Sequence, residues 1–103
     1  MLFRSLVTEH GFADATDAFR PRALVESLLH LGRAIDRGAP VFGYLHWSLT
    51  DNFEWAAGYA PKFGFYSVDR ATLRRRPRAS SIKVFSDAAR TNAVPSVPAT
   101  ATP

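Results

Sequence analysis

Val41-Phe42-Gly43-Tyr44-Leu45-His46-Trp47-Ser48 is apolar at odd and even positions alike, as a strand covered on both faces is. Strands of that kind belong to parallel sheets, where a neighbour is reached through a crossover, usually helical. The neighbour lies upstream: Leu6-Val7-Thr8 is short, apolar and β-branched, and its end is Glu9. Between the two, His10 to Asp17 is rich in turn formers and reads as a loop. Pro21 suits the start of a helix, where its missing N–H costs nothing. Leu24, Leu28, Leu31 and Ile35 then recur at intervals of four, three and four, one apolar stripe at helical period. Arg33 and Arg37 sit in the last turns, favourable against the helix dipole, and Gly38 fits the C-terminal cap. Strand, helix and strand with short joints form a βαβ unit with parallel strands and a right-handed crossover.

Downstream, Leu49 to Lys62 reads as a long loop and Phe63 to Asp69 as another β-like stretch. Ala79 to Arg90 is a second helix with Ile82, Phe85 and Ala89 on one side. The chain therefore divides into a β-loop-α-β-loop-α portion, residues 1–91, and a Pro/Ala/Thr-rich tail, residues 92–103, expected to be disordered. Two parallel strands leave two open edges, and helices normally cover both faces of such a sheet. This α/β portion is thus incomplete as a stand-alone domain, and the missing strands are expected on a longer chain.

Composition narrows the function classes. Hydrophobic residues make up 47% of the 103 and charged residues 21%, a globular balance. There is no cysteine, so disulfides and thiolate metal sites are excluded, and no His and acid residues have metal-ligand spacing. The formal charge is +4, with Arg74, Arg75, Arg76 and Arg78 clustered beside Pro77. Such a cluster marks nucleic acid or anionic lipid in some proteins; with no regular aromatic spacing beside it, the reading taken is a solvated loop. The longest apolar run, Ala39 to Trp47, is far short of a membrane span, and Met1 to Val7 is too short for a signal peptide. The expectation is no membrane and a cytoplasmic location.

Two acids stand where chemistry is expected. Glu9 ends one strand and Glu54 lies in the loop after the next. In a (β/α)₈ barrel the active site is built from the loops at the C-terminal ends of the strands, which puts both carboxylates on one rim. By strand parity Val7 shares the face of Glu9, and Gly43, Leu45 and Trp47 share a face of their own strand. A Trp beside a carboxylate suits a sugar: the indole covers the C–H face of a pyranose while acids take its hydroxyls. His46, of opposite parity, is expected to face the helices. Asp51 and Asn52 read as structural, Tyr44 and Tyr59 as packing residues with bonded hydroxyls, and His30 as half-exposed on the first helix.

Thr8-Glu9-His10-Gly11 resembles the Thr-Glu-Asn-Gly motif of glycoside hydrolase family 1, and Trp47-Ser48-Leu49-Thr50-Asp51-Asn52-Phe53-Glu54-Trp55 is similar to that family's sugar-binding loop. Gly58-Tyr59, Lys62-Phe63-Gly64-Phe65, Val68-Asp69, Arg20-Pro21 and the Ala34-Ile35-x-x-Gly38 helix end continue the resemblance over about residues 6 to 90. It implies the C-terminal quarter, the seventh and eighth βα units, of a (β/α)₈ barrel of retaining β-glycosidases that need no cofactor. It implies Glu9 as nucleophile, Trp47 as the platform under the ring, and Glu54 as acceptor from the 4- and 6-hydroxyls. Trp55 would donate to the 3-hydroxyl, and Phe63 would line the wall near the 6-position. A carboxylate at Glu54 implies an unphosphorylated glycoside, such as a β-glucoside or β-galactoside. A cis peptide between Trp47 and Ser48 is also implied. The family's acid/base, in an Asn-Glu-Pro motif, has no counterpart here, so the 103 residues alone are expected to be inactive and to work with the missing N-terminal part of the barrel. His10 replaces the motif's Asn. It either lowers the pKa of Glu9 when protonated or points away, and pointing away is the reading taken.

Two other classes stay open on the sequence. A non-catalytic carbohydrate-binding or assembly module, completing a barrel with a partner chain, would keep Trp47, Glu54 and Trp55 without using Glu9. Nucleic-acid binding through Arg74 to Arg78 would show as steeply salt-dependent retention on DNA.

Overall fold

The computed structural model describes residues 3–96, and in it the two strands of the βαβ unit, β1 (Ser5–His10) and β2 (Val41–His46), pair in parallel. Helix α1 (Arg20–Asp36) crosses between them. Its N-terminus is held by Asp14, whose Oδ2 accepts the backbone N–H groups of Phe19 and Arg20 at 2.8 and 2.9 Å. Pro21 lies in its first turn. Gly38, just past its end, has φ of 102°, a conformation that suits glycine.

The third β-like stretch is shorter than the sequence suggests. It is β3 (Tyr66–Val68), which pairs antiparallel with an unanticipated strand, β4 (Arg75–Pro77). Part of the arginine cluster expected as a solvated loop is thus a hairpin strand, solvent-exposed along Arg75 to Pro77. Helix α2 (Ala79–Thr91) follows. Its most deeply buried residues are Ser81 and Val84; Ile82 and Phe85 flank them and Ala89 is exposed. A 3₁₀ turn, Trp55–Ala57, interrupts the long loop after β2. Of the expected tail, residues 97–103 lie outside the described residues.

Leu24, Val25, Phe65 and Val84 form the core, with Tyr66, Ile82 and Phe85 packed against it. Each such side chain contributes roughly 1.5–3 kcal/mol on burial. This core belongs to the helix side of the sheet. On the other face Leu6 is 40% and Leu45 51% exposed.

The register of β1 on β2 is irregular. Between the pairs Ser5–Val41 and Leu6–Gly43, β2 advances two residues while β1 advances one, and between Val7–Tyr44 and His10–His46, β1 advances three while β2 advances two. One extra residue is a bulge, and a bulge breaks the simple alternation of faces. Val7 and His10 accordingly line one helix-side cavity with Ser27, His30 and Leu31 of α1 and Tyr44 of β2. Val7 and His10 therefore share a face across the irregularity, where strict alternation would put them on opposite faces. Glu9, between them, is exposed.

Candidate active site

Parallel pairing brings the ends of β1 and β2 to one rim. The Trp47 N–H donates to the His10 carbonyl at 2.9 Å, so the residue after Glu9 is tied directly to the one after β2. At that tie the chains are so close that a Cβ on Gly11 would fall onto the Trp47 carbonyl oxygen, which is why only glycine fits there. Trp47 is joined to Ser48 by a cis peptide bond, as the resemblance implied.

The loop carries the remaining residues around to the strand end. The Trp47 indole Nε1 donates to Glu54 Oε1 at 3.2 Å, which sets the carboxylate beside the ring edge. Glu54 is half-buried, and its backbone is pinned by Glu54 N–H to Gly58 O at 2.7 Å. Trp55 follows with φ of 48° and is 85% exposed. Phe63 is half-buried, its carbonyl accepting the Ser48 N–H at 3.2 Å. Trp47 and Glu54 are thus in contact; Glu9 shares their rim, and Trp55 projects outward. Among the described residues no group of three or more His, Cys, Asp or Glu side chains could hold a metal ion.

Two buried arginines hold these loops, and sequence reasoning missed both roles. Arg20 is fully buried, and its Nη2 donates to the carbonyls of Phe12, Asp14 and Lys62 at 3.1, 2.8 and 2.7 Å, joining the loop after β1 to the loop after β2. Its Nη1 pairs with Asp17 at 3.1 Å, and the Asp17 carboxylate also accepts the Ser81 hydroxyl and N–H at the start of α2. Arg78, 9% exposed, makes a bidentate pair with Asp51 at 2.9 and 3.0 Å and donates to Gly64 O at 2.6 Å and Ala15 O at 3.3 Å. One member of the cluster read as a solvated loop is therefore a buried clamp. Asp51 is structural, as expected, and also accepts the Gly64 N–H at 2.9 Å. Asn52 bonds Thr50 O at 3.3 Å, in keeping with a structural role. A sequence signal existed in the acids Asp14 and Asp17 just ahead of Arg20.

Charge states follow from these contacts. Burial alone would raise the Asp14 pKa, but hydrogen bonds from Arg20, Phe19 and Thr16 outweigh it and hold the carboxyl at about 2. At Asp51 burial also opposes ionisation, and Arg78 together with the Gly64 N–H overcomes it and lowers the pKa. Burial pulls the Arg20 pKa down, helped by Arg78 and opposed by Asp17. His46 faces the helices, as its parity suggested: it stacks on Phe65 with centroids 3.9 Å apart and has Phe85 of α2 nearby. Burial pushes it down to about 4.

The His10 ring is engaged by Tyr44 and Phe12. Its Nδ1 lies 2.8 Å from the Tyr44 hydroxyl, and Phe12 packs against it edge-on at 5.2 Å. Of the two tyrosines expected to bond, Tyr44 does so; Tyr59 instead packs against Phe53 at 5.1 Å with Arg70 over its ring. His30 is exposed at the cavity margin.

The comparisons with known proteins agree with this arrangement. A model of glycosyl hydrolase family 1 matches residues 5–94. The β-galactosidase of Pyrococcus woesei is 42% identical over 85% of this chain, which spans 17% of that protein. A chloroplastic galactolipid galactosyltransferase of Arabidopsis thaliana is 47% identical over 79% of the chain and 13% of its own length. Among solved structures, the β-glucosidase of Pyrococcus furiosus superposes with a TM-score of 0.86 at 45% identity, over 90% of this chain and 20% of that one. The 103 residues thus span a fifth or less of these relatives and form part of a (β/α)₈ barrel. With the match running from the first strand past the second helix, the chain belongs to glycosyl hydrolase family 1.

Proposed function

We propose that this chain is the nucleophile-bearing segment of a retaining β-glycosidase, its seventh and eighth βα units, acting on unphosphorylated β-glucosides or β-galactosides. The observation that carries the reading is the shared rim: Glu9 is the last residue but one of β1, the Trp47 amide bonds the carbonyl of the residue after it, and the Trp47 indole bonds Glu54. Glu9 attacks the anomeric carbon while an acid outside these 103 residues protonates the departing oxygen. Water, activated by that same group as base, then releases the sugar with its configuration retained. Such a pair requires carboxyls roughly 5–5.5 Å apart. Trp47 is the platform under the ring. Glu54, its Oε1 oriented by the indole, accepts from the 4- and 6-hydroxyls. Trp55 donates to the 3-hydroxyl, and Phe63 forms the wall near the 6-position.

Joined to the upstream part of the barrel, the chain should hydrolyse an aryl β-glucoside and release the β-anomer first, as followed by proton NMR. First release of the α-anomer refutes the retaining mechanism. The 103 residues alone should show negligible turnover, and measurable turnover contradicts the claim that the acid lies elsewhere.

A further inference from the structure

We infer that His10 is a positioning residue for Glu9: its hydrogen bond to Tyr44 fixes on which face of the sheet the Glu9 carboxylate stands. The inference rests on the reading of Glu9 as nucleophile and goes beyond it, because it names what aims that group. The bulge gives β1 one residue more than its partner between Val7 and His10, which makes good the residue β2 gains between the Ser5–Val41 and Leu6–Gly43 pairs. An extra residue can be absorbed in more than one way, and a slip of one residue moves every side chain to the opposite face. Hydrogen bonding along the strands does not decide between these outcomes; what residue 10 does with its side chain decides it. The His10 ring enters the helix-side cavity that Val7, Ser27, His30, Leu31 and Tyr44 also line, and it is held there by Tyr44 at 2.8 Å and by the edge of Phe12. Its carbonyl accepts from Trp47. With side chain and carbonyl both anchored, the preceding residue is turned to the uncovered face. The Tyr44 hydroxyl also reaches the His10 carbonyl, to which it donates at 3.5 Å, so ring and backbone of residue 10 meet the same phenol.

The test is NMR on a complete barrel isotope-labelled only in this segment and needs no catalysis, so its failure is separable from failure of the glycosidase reading. In the wild type, the His10 ring should show contacts to the Tyr44 ring, and the Glu9 γ-methylene should show no contacts to the Val7 methyls. Tyr44→Phe, which removes one oxygen, should broaden the Glu9 and His10 amide signals and bring in Glu9–Val7 contacts. It should also speed exchange of the Trp47 amide by about tenfold, the worth of one hydrogen bond. Signals from α1 and α2 should not change. His10→Ala should do the same, and His10→Gln, whose amide oxygen accepts from Tyr44, should restore the wild-type pattern. Unchanged Glu9 and Trp47 signals in Tyr44→Phe overturn the inference even where His10→Ala fails to fold.

Discussion

The two faces of the β1–β2 sheet are finished to different degrees. On the helix side Leu24, Phe65 and Val84 are buried, and Arg20 and Arg78 are bonded to carbonyls and acids from both loops. On the other side Leu6 and Leu45 are 40% and 51% exposed, and Glu9 stands in solvent. Among the described residues, the side that shapes the loops is complete and the side that would meet a sugar is open. The clamps and the chemistry are therefore separable: damage to the first should unfold the loops, and damage to the second should silence them without unfolding anything.

The largest effect belongs to the open side. In a complete barrel carrying this segment, Glu9→Gln should lower kcat by about 10⁴-fold or more and leave the thermal midpoint within a degree or two. A fall of only tenfold in steady-state assays would remove Glu9 from the chemistry. On the closed side Arg78→Ala leaves Asp51 buried without its cation and should cost about 3–5 kcal/mol in denaturant unfolding. A loss under 1 kcal/mol would show that the pair is not desolvated. Gly64→Ala tests the same clamp through the backbone. A Cβ there falls onto the Thr50–Asp51 backbone, and Tyr66 O lies close by, so the substitution should destabilise by about 2 kcal/mol or more.

Acid should act on the closed side first. His46 is held at about 4 against an ordinary 6.5, so the unfolded chain binds the extra proton between those values. Stability should be full above pH 6.5 and fall as pH drops towards 4. Asp14, at about 2 against 3.8, adds a second loss as pH falls from about 4 towards 2. His46→Phe should remove the first step and spare the second, as read by urea midpoints across pH. The smallest effect is expected at Arg22→Ala, which breaks an exposed pair with Glu26 and should stay within about 0.5 kcal/mol.

The sequence made the frame and the rim legible because both are written in local pattern. The helical stripe of Leu24, Leu28 and Leu31 and the two-faced apolarity of Val41 to Ser48 each report one element's own surroundings. The motifs around Glu9 and Glu54 carry the family resemblance, and the family model matches residues 5–94. The Arg20 and Arg78 clamps were not legible, since their partners Lys62, Asp51 and Ala15 are brought near only by folding. Nor was the bulge: strict alternation puts Val7 and His10 on opposite faces, and the register that joins them on one face is set by pairing with β2. The β3–β4 hairpin escaped for a related reason. Three exposed residues centred on two arginines have no apolar alternation, and their strand character comes from Tyr66 to Val68 alongside.

The most direct measurement is covalent. With the upstream barrel supplied, a 2-deoxy-2-fluoro glycoside bearing a good leaving group should inactivate the enzyme by one sugar per chain, and peptide mapping should find that sugar on Glu9. Inactivation with the label on any other carboxylate would contradict the account.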